Sequence, residues 1–133
     1  MRLCIAPLHY WNITMTKNTF KIMPDSADEM QPSSLISEAH FTTAETDEMT
    51  MPFYDAEDGS VAAGIWECPP CKVDIAAYPV NEMMTIISGA VTITNAQGVA
   101  ESFGPGEVVF VAKGSKMTWH ITQRLRKYYM TSH

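Results

Sequence analysis

Histidine and cysteine, the side chains that most often hold transition metals, are scarce here: four histidines and three cysteines in 133 residues. Cys68 and Cys71 spell CPPC. A zinc site would need a second such pair, and Cys4 lies far off in an unrelated segment. Redox pairs of this spacing open helices, whereas Pro69 and Pro70 fix φ and favour an extended path. The pair therefore reads as two thiols flanking a turn between strands, kept reduced in a cytoplasmic protein. Long apolar runs are missing too, so no membrane span is expected. The opening MRLCIAPLHYWNITM is interrupted by His9, Tyr10 and Asn12 before any small-residue cleavage site, which argues against a secretory leader. Met15 begins a more ordinary polar start, MTKNTF, and residues 1–14 read as an extended gene start. No basic stripe exists, so a nucleic-acid partner is not expected.

What the chain does contain suits one folded domain: 46% apolar and 18% charged residues. Its charge is uneven. Residues 1–58 hold ten carboxylates against Arg2, Lys17 and Lys21, a net of −7; residues 59–133 hold five against six cations, a net of +1. The acidic part reads as a solvated extension. Residues 1–57 form an N-terminal arm with one or two short strands, laid against a barrel formed by residues 58–133. After Gly59, runs rich in Val, Ile, Thr and aromatics recur between Gly, Pro and Asn turns. They are 61–67, 72–78, 82–88, 90–94, 99–103, 107–111, 116–122 and 127–131, with breaks expected at Gly89 and at Gln123-Arg124. Eight short strands without room for crossover helices predict an all-β, antiparallel barrel, closed so that no edge is left exposed.

Two glycine-anchored motifs then stand out. Glu82 is followed by six residues and then Gly89 in NEMMTIISGAVTI, and seventeen residues on Gly106 opens GEVVFVAKGSKMTW. This pairing resembles the two-part signature of the cupins, Glu-x6-Gly followed by Gly-x5-Pro-x-Gly. The chain is most similar to the single-barrel cupins grouped with ureidoglycine aminohydrolase and the ethanolamine-utilisation cupins. The likeness is carried by residues 64–98, by FGPGEVVFVAKGSKMTWHI and by RKYYM, spread over a span of about 70 residues. It implies the small jelly-roll barrel known as a double-stranded β-helix.

The resemblance also implies where a metal would be held, and there the chain departs from it. The His-x-His positions of the first motif are Ala76 and Tyr78, the histidine position of the second is Met117, and the motif proline is Ala112. Of a three-histidine, one-glutamate set only Glu82 remains, so no metal cofactor is expected. Strand alternation gives an independent reading. With Glu82 inward, Met84 and Ile86 share its face, as do Ala76 and Tyr78 on the neighbouring run. An inward Met117 carries Trp119 and Ile121 with it and puts His120 on the opposite face.

The expected interior is an apolar cup of Tyr78, Met84, Met117, Trp119 and Ile86, with Trp66 nearby, Glu82 and the Tyr78 hydroxyl as polar groups, and Lys113 at the rim. Such a cup suits a small organic ligand with one or two hydrogen-bonding atoms. Glu82 has two readings: it organises the barrel through a bond to Tyr78 or backbone, or it binds ligand and works as an acid–base group. Arg126 and Lys127, near the last strand, read either as surface charge or as partners of the acidic arm, with surface charge the favoured reading. The function read from the sequence is a metal-independent small-molecule-binding cupin. The alternative is an enzyme of the ureidoglycine-aminohydrolase type, with Glu82 as base. A homodimer is expected, with residues 16–50 at its interface.

Overall fold

The computed structural model describes residues 19–24 and 29–133. Cys4 and the proposed gene start lie outside the described residues. The order of elements is β1 (Gln31–Pro32), a 3-10 turn (Glu38–His40), β2 (Met49–Asp55), β3 (Val61–Cys68), β4 (Cys71–Ile75), β5 (Asn81–Asn95), β6 (Ala100–Phe103), β7 (Val108–Val111) and β8 (Met117–Ser132). Every pairing among them is antiparallel.

Two long strands organise the sheet. The first half of β5 pairs with β7 and with the second half of β8; its second half pairs with β6 and the first half of β8. β8 then hands its second half to β3 and its first half to β4. Each long strand thus belongs to two half-sheets, one carrying β1, β2, β3 and β7, the other β4 and β6. The halves fold over one another, and the core lies between them: Trp66, Met84, Ile86, Val109 and Val111 from one side, Val91, Met117, Trp119 and Ile121 from the other.

Two expectations are corrected here. Gly89 and Gln123-Arg124 do not end strands; both lie within continuous strands, at a cluster of register shifts between Ile86 and Val91. Gly89 has φ 87°, and a Cβ there would stand 1.9 Å from the carbonyl oxygen of Arg124. Only glycine lets the two backbones approach so closely while both strands bend. The sheet is also not closed by a ladder. Its path runs β1-β2-β3-β8-β5-β6, with β4 and β7 as side branches. The bend lets side-chain packing between the halves do what hydrogen bonds do in a closed barrel.

The arm contributes β1 and β2 to this sheet and is pinned by a buried carboxylate. Glu48 accepts from the Ser33 hydroxyl at 2.6 Å, from the backbone N–H of Leu35 and Ile36, and from the Trp66 indole at 2.8 Å. Four donors offset the desolvation of its charge. Arg124 adds a second tie, reaching Asp47 at 2.8 Å and Glu67. The acidic segment is therefore partly a structural component and not wholly a solvated tail.

Candidate functional site

β5 alternates buried and exposed residues from Glu82 to Ile86 as a strand with one face on the core must. Glu82 and Met84 point inward, and the inward residues of β8 face them: Met117, Trp119, Ile121, Leu125 and Lys127. Lys127 continues the phase that begins at Met117, so its ammonium is carried into the core.

There it meets Glu82. The Lys127 Nζ donates to Glu82 Oε2 at 2.7 Å, and the two side chains retain only 6% and 7% of their exposure. The Tyr78 hydroxyl donates to the other carboxylate oxygen, also at 2.7 Å. Trp66, opposite Lys127 across the β3–β8 ladder, presents its ring 4.8 Å from the ammonium; Trp119, from the other half-sheet, presents its own at 4.9 Å. Met84 Sδ lies 3.7 Å away. The ammonium is thus held between two indole faces and a carboxylate, a cation–π arrangement that gains strength where water is excluded. Trp66 is fixed in turn by its bond to Glu48.

Burial, then the Glu82 charge, then its hydrogen bond raise the Tyr78 hydroxyl well above the usual tyrosine range. Tyr78 therefore stays a proton donor to Glu82 throughout the ordinary pH range. Its loop is fastened to the turn before β8: Tyr78 N–H donates to the Ser115 carbonyl and Gly114 N–H to that of Tyr78, each at 2.8 Å.

Of the residues expected at the site, Tyr78, Glu82, Met84, Met117 and Trp119 are brought to one core region. Lys113 lies on an exposed turn, where its backbone N–H donates to Asn81 Oδ1 at 2.9 Å. Ala76, expected inside, is exposed just past the end of β4. Lys127, expected on the surface, is the cation that reaches Glu82, while Arg126 turns outward to pair with Glu67 at 2.8 Å. The signal for Lys127 was present. Counting by twos from Met117 through Ile121 and Leu125 reaches it, provided the strand does not stop at Gln123.

The donor set does not fit a divalent metal of the usual kind. Such an ion needs three or four convergent oxygen, nitrogen or thiolate ligands. Here the one carboxylate already binds an ammonium and a phenol held protonated, and that ammonium is in turn flanked by one thioether and two indoles. Among the described residues, no three of His, Cys, Asp and Glu form such a group.

Beside this cluster, a cavity of about 240 Å³ opens among β5, β6, β7 and the start of β8. Ile93, Phe103, Val109, Val111 and Met117 give it apolar walls, with Asn95, Glu101, Ser115 and Lys116 as polar positions. Val109, Val111 and Met117 are also members of the core cluster that contains Trp66, Met84 and Trp119.

Comparison with known proteins gives a consistent picture. Residues 55–129 match the profile of the EutQ-like cupin domain. The fold is shared with a protein of unknown function of the DUF861 family from Pseudomonas syringae pv. tomato (TM-score 0.69, 22% identity), over 77% of this chain and 44% of that one. The chain thus spans less than half the length of that protein. It is shared also with Clostridium difficile EutQ (TM-score 0.59, 21% identity, 80% and 83% covered). A third such structure is the polyketide cyclase RemF from Streptomyces resistomycificus (TM-score 0.60, 15% identity, 86% and 79% covered). No curated protein matches the chain in sequence.

Proposed function

This chain belongs to the EutQ-like cupin domain family, and from that premise we propose that it binds a small organic molecule in the cavity among β5, β6, β7 and the start of β8, while the Tyr78–Glu82–Lys127 cluster in the adjoining core stands in place of a metal centre. The observation that carries this reading is the 2.7 Å Lys127–Glu82 pair buried between two indoles. An ammonium occupies the cation position beside the carboxylate, so a second cation there would face direct repulsion at short range in a low dielectric. The cavity next to it has the composition of a ligand pocket: mostly apolar walls and a few polar groups that fix orientation. The free thiols of Cys68 and Cys71, 4.0 Å apart, support a reducing, cytoplasmic setting. Among the described residues, no helix is long and apolar enough to cross a membrane.

Two measurements test the reading. Protein produced with manganese, nickel, iron and zinc available should carry substoichiometric metal; stoichiometric metal that is lost in Glu82→Ala would overturn it. A thermal-shift screen of short carboxylates, amides, ureas and alcohols should raise the melting temperature with at least one class. That shift should vanish in Met117→Trp, which fills the cavity wall.

A further inference from the structure

The half-sheet that carries β6 places a carboxylate on the face turned to the cavity. Register sets that face: Glu101 of β6 stands opposite Ile93 of β5, and Ile93 opposite Trp119 of β8. Residues paired across a ladder share a face, so Glu101 belongs to the inward set with Ile93 and Trp119. The outward set on the same two strands includes Thr92 and Ser102, whose hydroxyls meet at 2.7 Å. Glu101 lines the cavity of about 240 Å³, and so does Lys116 on the turn before β8. The other polar groups of its lining are used by their own turns. Asn95 Oδ1 accepts from the backbone N–H of Gln97 at 3.0 Å and of Val99 at 2.9 Å, and the Ser115 hydroxyl donates to the Ala112 carbonyl at 2.7 Å. Glu101 and Lys116 have neither a hydrogen bond nor an ion pair from their side chains among the described residues.

Resting on the reading of this cavity as a ligand pocket, we propose that its ligand class is the small zwitterion: an amino acid with an apolar side chain, its ammonium held by Glu101 and its carboxylate by Lys116. The argument is one of complementarity. A neutral apolar molecule leaves both charges unanswered. An amine alone answers Glu101 but brings its positive charge towards Lys116, and an acid alone does the reverse. A zwitterion answers both through charge-assisted hydrogen bonds. Its apolar body then lies against Ile93, Phe103, Val109, Val111 and Met117. Size agrees, since at about 30 Å³ per water-sized group the cavity holds roughly eight non-hydrogen atoms, the size of valine. Both charged residues are exposed, so each stays hydrated when the pocket is empty and costs the fold little.

Calorimetric titration of the full chain with L-valine, L-leucine and L-methionine tests this. At least one should bind, about tenfold more tightly than its analogue lacking the amine and its analogue lacking the carboxylate (for valine, 3-methylbutanoate and isobutylamine). Glu101→Gln should weaken that amino acid about tenfold and leave the deaminated analogue unchanged. Lys116→Met should weaken it as much and leave the decarboxylated analogue unchanged. Both variants should keep the wild-type circular dichroism, since both positions are exposed. An amino acid that binds no better than either analogue, or as well to both variants as to wild type, overturns the inference. If no amino acid binds while a carboxylate, amide, urea or alcohol raises the melting temperature, the ligand class falls and the pocket stands; Glu101 then only keeps the β6 edge from pairing with another strand. If no compound of either set binds, the pocket reading falls and this inference with it.

Discussion

Lys127 and Glu82 are both almost wholly withdrawn from water, so neither can lose its partner without leaving an uncompensated charge in the core. Removing one member of such a pair costs about 3–5 kcal/mol, whereas replacing both by groups of similar size is close to neutral. Lys127→Met and Glu82→Ala should therefore each lower the urea midpoint strongly, and Glu82→Gln with Lys127→Met should recover much of the loss. A double mutant as unstable as the singles would show that the indole–ammonium contacts, not the ion pair, hold this region together. Tyr78 belongs to the same unit: its hydroxyl is kept protonated by burial and by the charge it donates to. Of these groups, Tyr78 and Glu82 were legible from motif spacing and strand phase. Lys127 was not, because a lysine beside Arg126 after a polar Gln-Arg step looks like the start of a solvated strand.

At the level of elements, the bend shared by β5 and β8 decides how the inward positions meet. Before Gly89 the buried residues of β5 are Glu82, Met84 and Ile86, with even numbers; after the bulges Val91 is buried, and the phase has become odd. The bulges therefore re-aim the strand as it passes from one half-sheet to the other. Two glycines with nearly the same backbone angle separate conformation from contact. Gly98, φ 83°, has open space where a Cβ would go; Gly89, φ 87°, has the Arg124 backbone there. Gly98→Ala should cost about 1–2 kcal/mol, the ordinary penalty of the left-handed region. Gly89→Ala should cost clearly more, to the point of abolishing the folded state, as read by chemical denaturation. Equal effects at the two sites would mean that the close backbone approach contributes little.

For the molecule as a whole, the arm and the sheet are tied through charge as well as packing. Arg124 binds Asp47 at 2.8 Å on the arm and Glu67 on β3. The Arg124 hydrogen bond holds the Asp47 carboxyl below its usual 3.8. The folded state thus binds fewer protons than the unfolded chain in that interval, and stability rises with pH through it. The contribution is complete above about pH 4 and fades as pH falls through the lowered value. Asp47 is largely exposed, so the effect is small and screened by salt. Asp47→Asn should flatten the acid limb of a stability–pH curve slightly and leave the neutral region almost unchanged. The sequence by itself determined the all-β class, the paired glycine motifs, the absence of metal histidines and the inward run from Glu82 to Ile86. All of these are local spacing, and a side chain's face follows from counting along one strand. Only the tertiary structure decided that the sheet stays open, that β5 and β8 run unbroken through their polar or glycine steps, and that Lys127 stands between Trp66 and Trp119. Each of those depends on which strand lies opposite which, a long-range pairing that no short stretch of sequence encodes.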